Sequence, residues 1–74
     1  MTRVPVVNQR QVVKALERIG YSSRPGKGSH MVCSKNGLDI GVPKGKKTLR
    51  RGTVSNILRQ AGLSNAEFSR LVKE

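Results

Sequence analysis

Two periodicities divide this chain. Val12, Val13, Leu16 and Ile19 recur at helical spacing, and Asn8 stands three residues ahead of Gln11 in the pattern of a capping box. A first helix is therefore predicted to open at Asn8, after an extended Val4-Pro5-Val6-Val7, and to close at Gly20 as its C′ residue. From Tyr21 to Val42 the period falls to two: His30, Val32 and Ser34 alternate with Met31 and Cys33, then Leu38, Ile40 and Val42 alternate with Asp39 and Gly41. These read as two strands, with His30 at the beginning of the first. Asn-Gly in the connecting Lys35-Asn36-Gly37 is the strongest short hairpin signal because both residues tolerate positive φ, so the strands are predicted antiparallel across a tight turn. Tyr21 to Arg24 is a candidate third strand.

From Pro43 to Gly52 lysine and glycine dominate, which reads as a loop. Val54, Ile57, Leu58 and Ala61 then mark a second amphipathic helix ending at Gly62. Ser64 and Glu67 form a second capping box, opening a short last helix whose inward face is Phe68, Leu71 and Val72. The order helix, three strands, helix, helix is an α+β arrangement, and no repeat or composition shift points to a second domain.

Size and composition narrow this picture. At 74 residues the chain has room for one domain with a thin core, because a chain near this size buries only about 60 % of its unfolded surface. With one Tyr, one Phe and no Trp, burial must come from Val, Leu and Ile, which suits helices on a sheet. No segment approaches the length of a spanning helix and the first residues lack a signal-peptide apolar core, so the cytoplasm is the expected location and a membrane is not an expected partner. A single Cys33 and a single His30 give neither an internal disulfide nor zinc-ligand spacing, so no cofactor is expected. Cys33 reads as a small buried hydrophobe rather than a nucleophile.

Charge changes the picture most. The formal net charge is +11. Charge of that size bears on partners and encounter rates rather than on fold, and it favours polyanions. Between Arg24 and Arg51 stand Arg24, Lys27, Lys35, Lys44, Lys46, Lys47, Arg50 and Arg51 against one acid, Asp39. Mixed signs would serve solubility as well, so this one-sided excess reads as a phosphate footprint. The glycines do not make a P-loop: Gly41 and Gly45 stand one residue too close together, and Lys47 occupies the Ser/Thr position. Gly26 and Gly28 read instead as a turn that lets backbone approach a ligand closely.

The only histidine sits in the run Gly26-Lys27-Gly28-Ser29-His30. Taken alone, a histidine is more often structural than catalytic. Histidine, however, is the side chain that both takes and gives a proton near neutrality, and here it lies beside groups that disperse negative charge on a reacting phosphodiester. That combination points to RNA cleavage.

Over nearly its whole length, from Val6 to Phe68, the chain resembles the HicA family, the toxin half of HicAB toxin-antitoxin pairs. The resemblance is carried by Val12-Val13-Lys14-Ala15-Leu16-Glu17-Arg18-Ile19-Gly20-Tyr21, the Gly28-Ser29-His30 triplet, the strand ending Val42-Pro43, and Gly52-Thr53-Val54 leading through Ile57-Leu58-Arg59-Gln60-Ala61-Gly62-Leu63. It implies a double-stranded-RNA-binding-like fold, one domain over residues 1–74, and an mRNA interferase that cleaves RNA with His30 and is masked by a HicB antitoxin. The RNA-binding set would be Arg24, Lys27, Gly28, Ser29, Lys35, Lys44, Lys46, Lys47, Arg50 and Arg51. Members often carry a second His or an aromatic directly after the catalytic one, where this chain has Met31. Two other classes fit parts of the pattern: a noncatalytic RNA-binding module reading A-form shape and 2′-hydroxyls, and a helix-turn-helix over Val54 to Leu71. The mixed charges of Glu67, Arg70, Lys73 and Glu74 weigh against the latter.

Overall fold

A computed structural model describes residues 6–44 and 47–73 of the chain. The elements are α1 (Gln9–Arg18), β1 (Ser22–Pro25), β2 (Met31–Lys35), β3 (Leu38–Val42), α2 (Arg51–Ala61) and α3 (Asn65–Lys73). The strands form one antiparallel sheet in the order β1-β2-β3. This is the α+β, double-stranded-RNA-binding-like arrangement that the periodicities and the resemblance predict.

Local chemistry sets the element ends. The Asn8 side chain accepts from the Gln11 N–H at 2.9 Å while the Gln11 side chain accepts from the Asn8 N–H at 2.9 Å, so two donors at the start of α1 are satisfied reciprocally. At the other end Tyr21 N–H donates to the Leu16 carbonyl and Gly20 N–H to that of Glu17, both at 3.1 Å, the paired bonds of a Schellman closure. Ser64 and Glu67 cap α3 reciprocally at 3.1 and 3.2 Å. The β2–β3 turn places Asn36 at φ 51° and Gly37 at φ 81°, the double left-handed geometry that Asn-Gly supplies.

Helices cover one face of the sheet. Cys33, Ile40 and Val42 point to that face and are fully buried against Val12, Leu16, Val54, Ile57 and Leu58. α1 packs on β1 and β2, α2 packs on β3, and α3 packs on both helices. Phe68 on α3, with no exposed surface, is the largest fully buried side chain. Burial raises the Cys33 thiol above its usual range, with the Glu17 charge adding to the effect, so Cys33 behaves as the buried hydrophobe expected.

Two expectations shift. The first strand runs Ser22–Pro25 rather than Tyr21–Arg24, because Tyr21 is drawn into the core. His30 lies one residue ahead of β2, in the loop from β1, instead of at the start of the strand. Among the described residues no helix is long and apolar enough to cross a membrane.

Candidate active site

The loop from Gly26 to His30 is held by its own backbone. Gly26 N–H donates to the His30 carbonyl at 2.8 Å, and His30 N–H donates to the Lys27 carbonyl at 3.1 Å. Gly28 takes φ 60°, a left-handed conformation that side chains disfavour. At Gly26 a Cβ would stand 3.0 Å from Val32 Cγ2 and 3.4 Å from the His30 carbonyl oxygen, so this position admits only glycine without displacement. Both glycines thus serve to turn the chain onto a defined His30 backbone. The His30 side chain is exposed to solvent.

A second tie comes from α1. The Gln9 side-chain amide donates to the Ser29 carbonyl at 2.8 Å and to the Val42 carbonyl at 3.0 Å. One NH₂ group therefore spends both hydrogens joining the start of α1, the loop before His30 and the end of β3. Leu49 N–H donates to the Val7 carbonyl at 2.8 Å, which brings the segment leading into α2 to the same end of the molecule.

These bonds connect the segments that carry Lys27, Ser29 and His30, Lys44, and Lys47, Arg50 and Arg51, all of them exposed. Arg50 is the N-cap of α2 without a side-chain cap, and the first turn carries no acid. The free N–H groups there add partial positive charge to the arginines. Lys46 lies outside the described residues.

Arg24 and Lys35 are placed elsewhere. Arg24 lies on the sheet face opposite the helices, where it donates to the Ser34 hydroxyl at 2.5 Å and pairs with Asp39 at 3.4 Å. Ser34 in turn donates to Asp39 at 2.5 Å. The Ser34 hydrogen bond first, and the Arg24 charge beside it, hold the Asp39 carboxyl below its usual range. Lys35 stands at the far end of β2, about 13 Å of strand from Met31 at 3.3 Å per residue. Its ammonium donates to the Ile19 carbonyl at 2.7 Å, at the C-terminus of α1, and lies 5.6 Å from the Tyr21 ring centroid.

Sequence reasoning missed Gln9, whose partners are 20 and 33 positions away. It also passed over Arg10 and Lys14, which flank a groove beside the His30 loop. The available signal was their spacing of four on the polar side of α1, which reads equally as an ordinary solvated face. Among the described residues no three His, Cys, Asp or Glu side chains come together to hold a metal ion.

Residues 10–63 match the family described as HicA toxin of bacterial toxin-antitoxin systems. The chain belongs to the HicA toxin family. As a HicA-family chain it is the toxin of a toxin-antitoxin pair, with a partner antitoxin. The match spans α1 through α2 and the turn after it, and so includes the His30 loop and the basic end of the sheet, while α3 lies beyond it. No curated protein matches the chain.

Proposed function

We propose that this HicA toxin is an endoribonuclease of the cytoplasm that cleaves mRNA through His30 and is neutralised by a HicB-type antitoxin. The observation that carries this reading is the exposed His30 on a backbone-fixed loop that also carries Lys27, tied by the Gln9 and Leu49 bonds to the segments that bear Lys44, Lys47, Arg50 and Arg51.

His30 acts as general base on a ribose 2′-hydroxyl, taking its proton as the 2′-oxygen attacks phosphorus, or as general acid on the 5′-oxygen as the P–O5′ bond breaks. Either way the attacking oxygen loses one proton and the leaving oxygen gains one, giving a 2′,3′-cyclic phosphate and a 5′-hydroxyl. Lys27 and the neighbouring cations hold the phosphate and disperse the charge that grows on it. With a single histidine, the second proton passes to water, a lysine or a second subunit. Each acid or base step contributes typically about 10² to 10⁴-fold, so turnover should be slow. Slow cutting of many messages is still toxic.

The test is incubation of purified chain with a synthetic RNA in excess EDTA, beside His30→Ala. The reading expects cleavage by the native chain and its loss in the variant. Cleavage unchanged by the substitution removes His30 from the mechanism. Equal RNA binding with no cleavage by either protein would make the chain a noncatalytic RNA-binding module.

A further inference from the structure

Beside the His30 loop a groove of about 320 Å³ runs along α1, lined by Gln9, Arg10, Val13, Lys14, Glu17 and Met31. From Gln9 to Glu17 it follows about 12 Å of helix, at 1.5 Å per residue. Its two ends are closed by contacts already formed: Gln9 donates to the Ser29 carbonyl at 2.8 Å at one end, and at the other Glu17 accepts from the Ser23 hydroxyl at 2.6 Å. The lining is mostly apolar, with the half-buried Met31 thioether at its wall and Val13 buried beneath it. Arg10 and Lys14, exposed and one turn apart, are the cations of the groove, and neither has an acidic partner among the described residues.

We infer that this groove is a nucleotide subsite, holding one base of the RNA strand next to the linkage that His30 cleaves. The inference rests on the nuclease reading and deepens it. Three features choose the occupant. The apolar lining suits the flat face of a base, and a polarizable thioether packs well against aromatic rings. The two cations suit the phosphate attached to that base. Glu17 has a second carboxylate oxygen with no hydrogen bond among the described residues, an acceptor for the exocyclic amine of adenine, cytosine or guanine that uracil lacks. An acidic peptide satisfies the cations equally well and meets the same Glu17 charge, but it brings no flat ring for the apolar lining and no amine for the Glu17 carboxylate, which favours RNA.

Continuity with the reacting centre is covalent and short. Met31 follows His30 directly and, as the first residue of β2, lines the groove, while His30 stands one residue ahead of the strand in the loop that Gln9 ties to the same helix. A strand whose base enters the groove therefore carries its neighbouring phosphate past the imidazole. Met31 takes on a binding role at the position next to the catalytic one.

The experiment uses single-stranded oligoribonucleotides carrying one 2-aminopurine, moved position by position, with a 2′-deoxyribose at the cleaved linkage so that the native chain binds without cutting. The fluorescence should change at one position adjacent to that linkage, and Met31→Ala should remove most of the change. Arg10→Ala with Lys14→Ala, both on the exposed helix surface, should weaken RNA binding about tenfold and lower the slope of log affinity against log salt by about 1.4, at about 0.7 per cation on a single strand. Glu17→Gln should narrow the preference for amine-bearing bases over uracil at that position at least about threefold, the scale of a single hydrogen bond's discrimination. The groove assignment is overturned if the double variant binds RNA with native affinity and salt slope while His30-dependent cleavage persists; the nuclease reading then stands without it. It is overturned equally if the double variant loses antitoxin binding and nothing else, which makes the groove a protein interface. Absence of any RNA binding by the native chain overturns both readings together.

Discussion

Gln9→Ala tests whether α1 positions the His30 loop. The substitution deletes an amide that bridges the Ser29 and Val42 carbonyls at 2.8 and 3.0 Å. A neutral hydrogen bond contributes about 0.5–1.5 kcal/mol net. The Ser29 bond is exposed, so water replaces it cheaply and its contribution lies at the low end; the Val42 bond is part-buried and lies higher. Together they stabilise the docked loop by about 1–2 kcal/mol, less a few tenths returned by the better helix propensity of alanine. At tenfold per 1.4 kcal/mol, the undocked population should rise about five- to thirty-fold. The assay is amide hydrogen exchange of Gly26 and His30, whose N–H groups are bonded within the loop, with Cys33 and Ile40 at the centre of the sheet as references. Loop amides should exchange faster by that factor, and the references only by the change in global stability. RNA cleavage should fall by no more than the same factor. Unchanged exchange at Gly26 and His30 would show that the loop's internal bonds suffice and that Gln9 does not position it.

Phe68→Ala should cost about 3–5 kcal/mol, the range for emptying a fully buried aromatic site, and lower Tm by at least about 12 °C at 4 °C per kcal/mol; a fall below about 5 °C would show that α3 is not part of the core. The Asp39 carboxyl, lowered from 3.8 by Ser34 and Arg24, contributes stability that is complete above the unfolded-state value and lost as pH falls through the lower folded value. Tm measured against pH should therefore show Asp39→Asn less stable than the native chain at neutral pH and the two converging below about pH 4, where an unfolded Asp protonates; a gap that persists in acid would refute an electrostatic origin.

What could be read from the sequence was short-range chemistry. Asn8 with Gln11 and Ser64 with Glu67 act three positions apart, and the Asn36-Gly37 turn needs only its own backbone, so each was legible before any fold was known. The apolar set from Val12 to Phe68 was legible for the related reason that burial imposes a period on the chain. β1 was harder. It has four residues, none of them buried, and thus no alternation by which to set its ends. For the candidate site, His30 could be singled out from the sequence and the contacts that hold its loop could not. Gln9 meets Ser29 across 20 positions, and Arg24 meets Asp39 across 15, separations at which no local spacing rule operates. Counting basic residues treated Arg24 and Lys35 as equal to Lys27, whereas a salt bridge occupies one and a helix terminus the other.

The antiparallel register that opposes Pro25 to Met31 decides which face of the sheet Met31 and each side chain after it in β2 meets. Strand geometry makes that choice binary, since a slide of one position exchanges every inward and outward group. The connector from Gly26 to His30 consequently acts as a spacer whose length helps to set that register. Removing one residue and letting β2 slip to compensate would set Val32 opposite Pro25 and carry Met31 off the groove into the connector. Such a deletion would empty the groove of its thioether with Met31 still present in the chain.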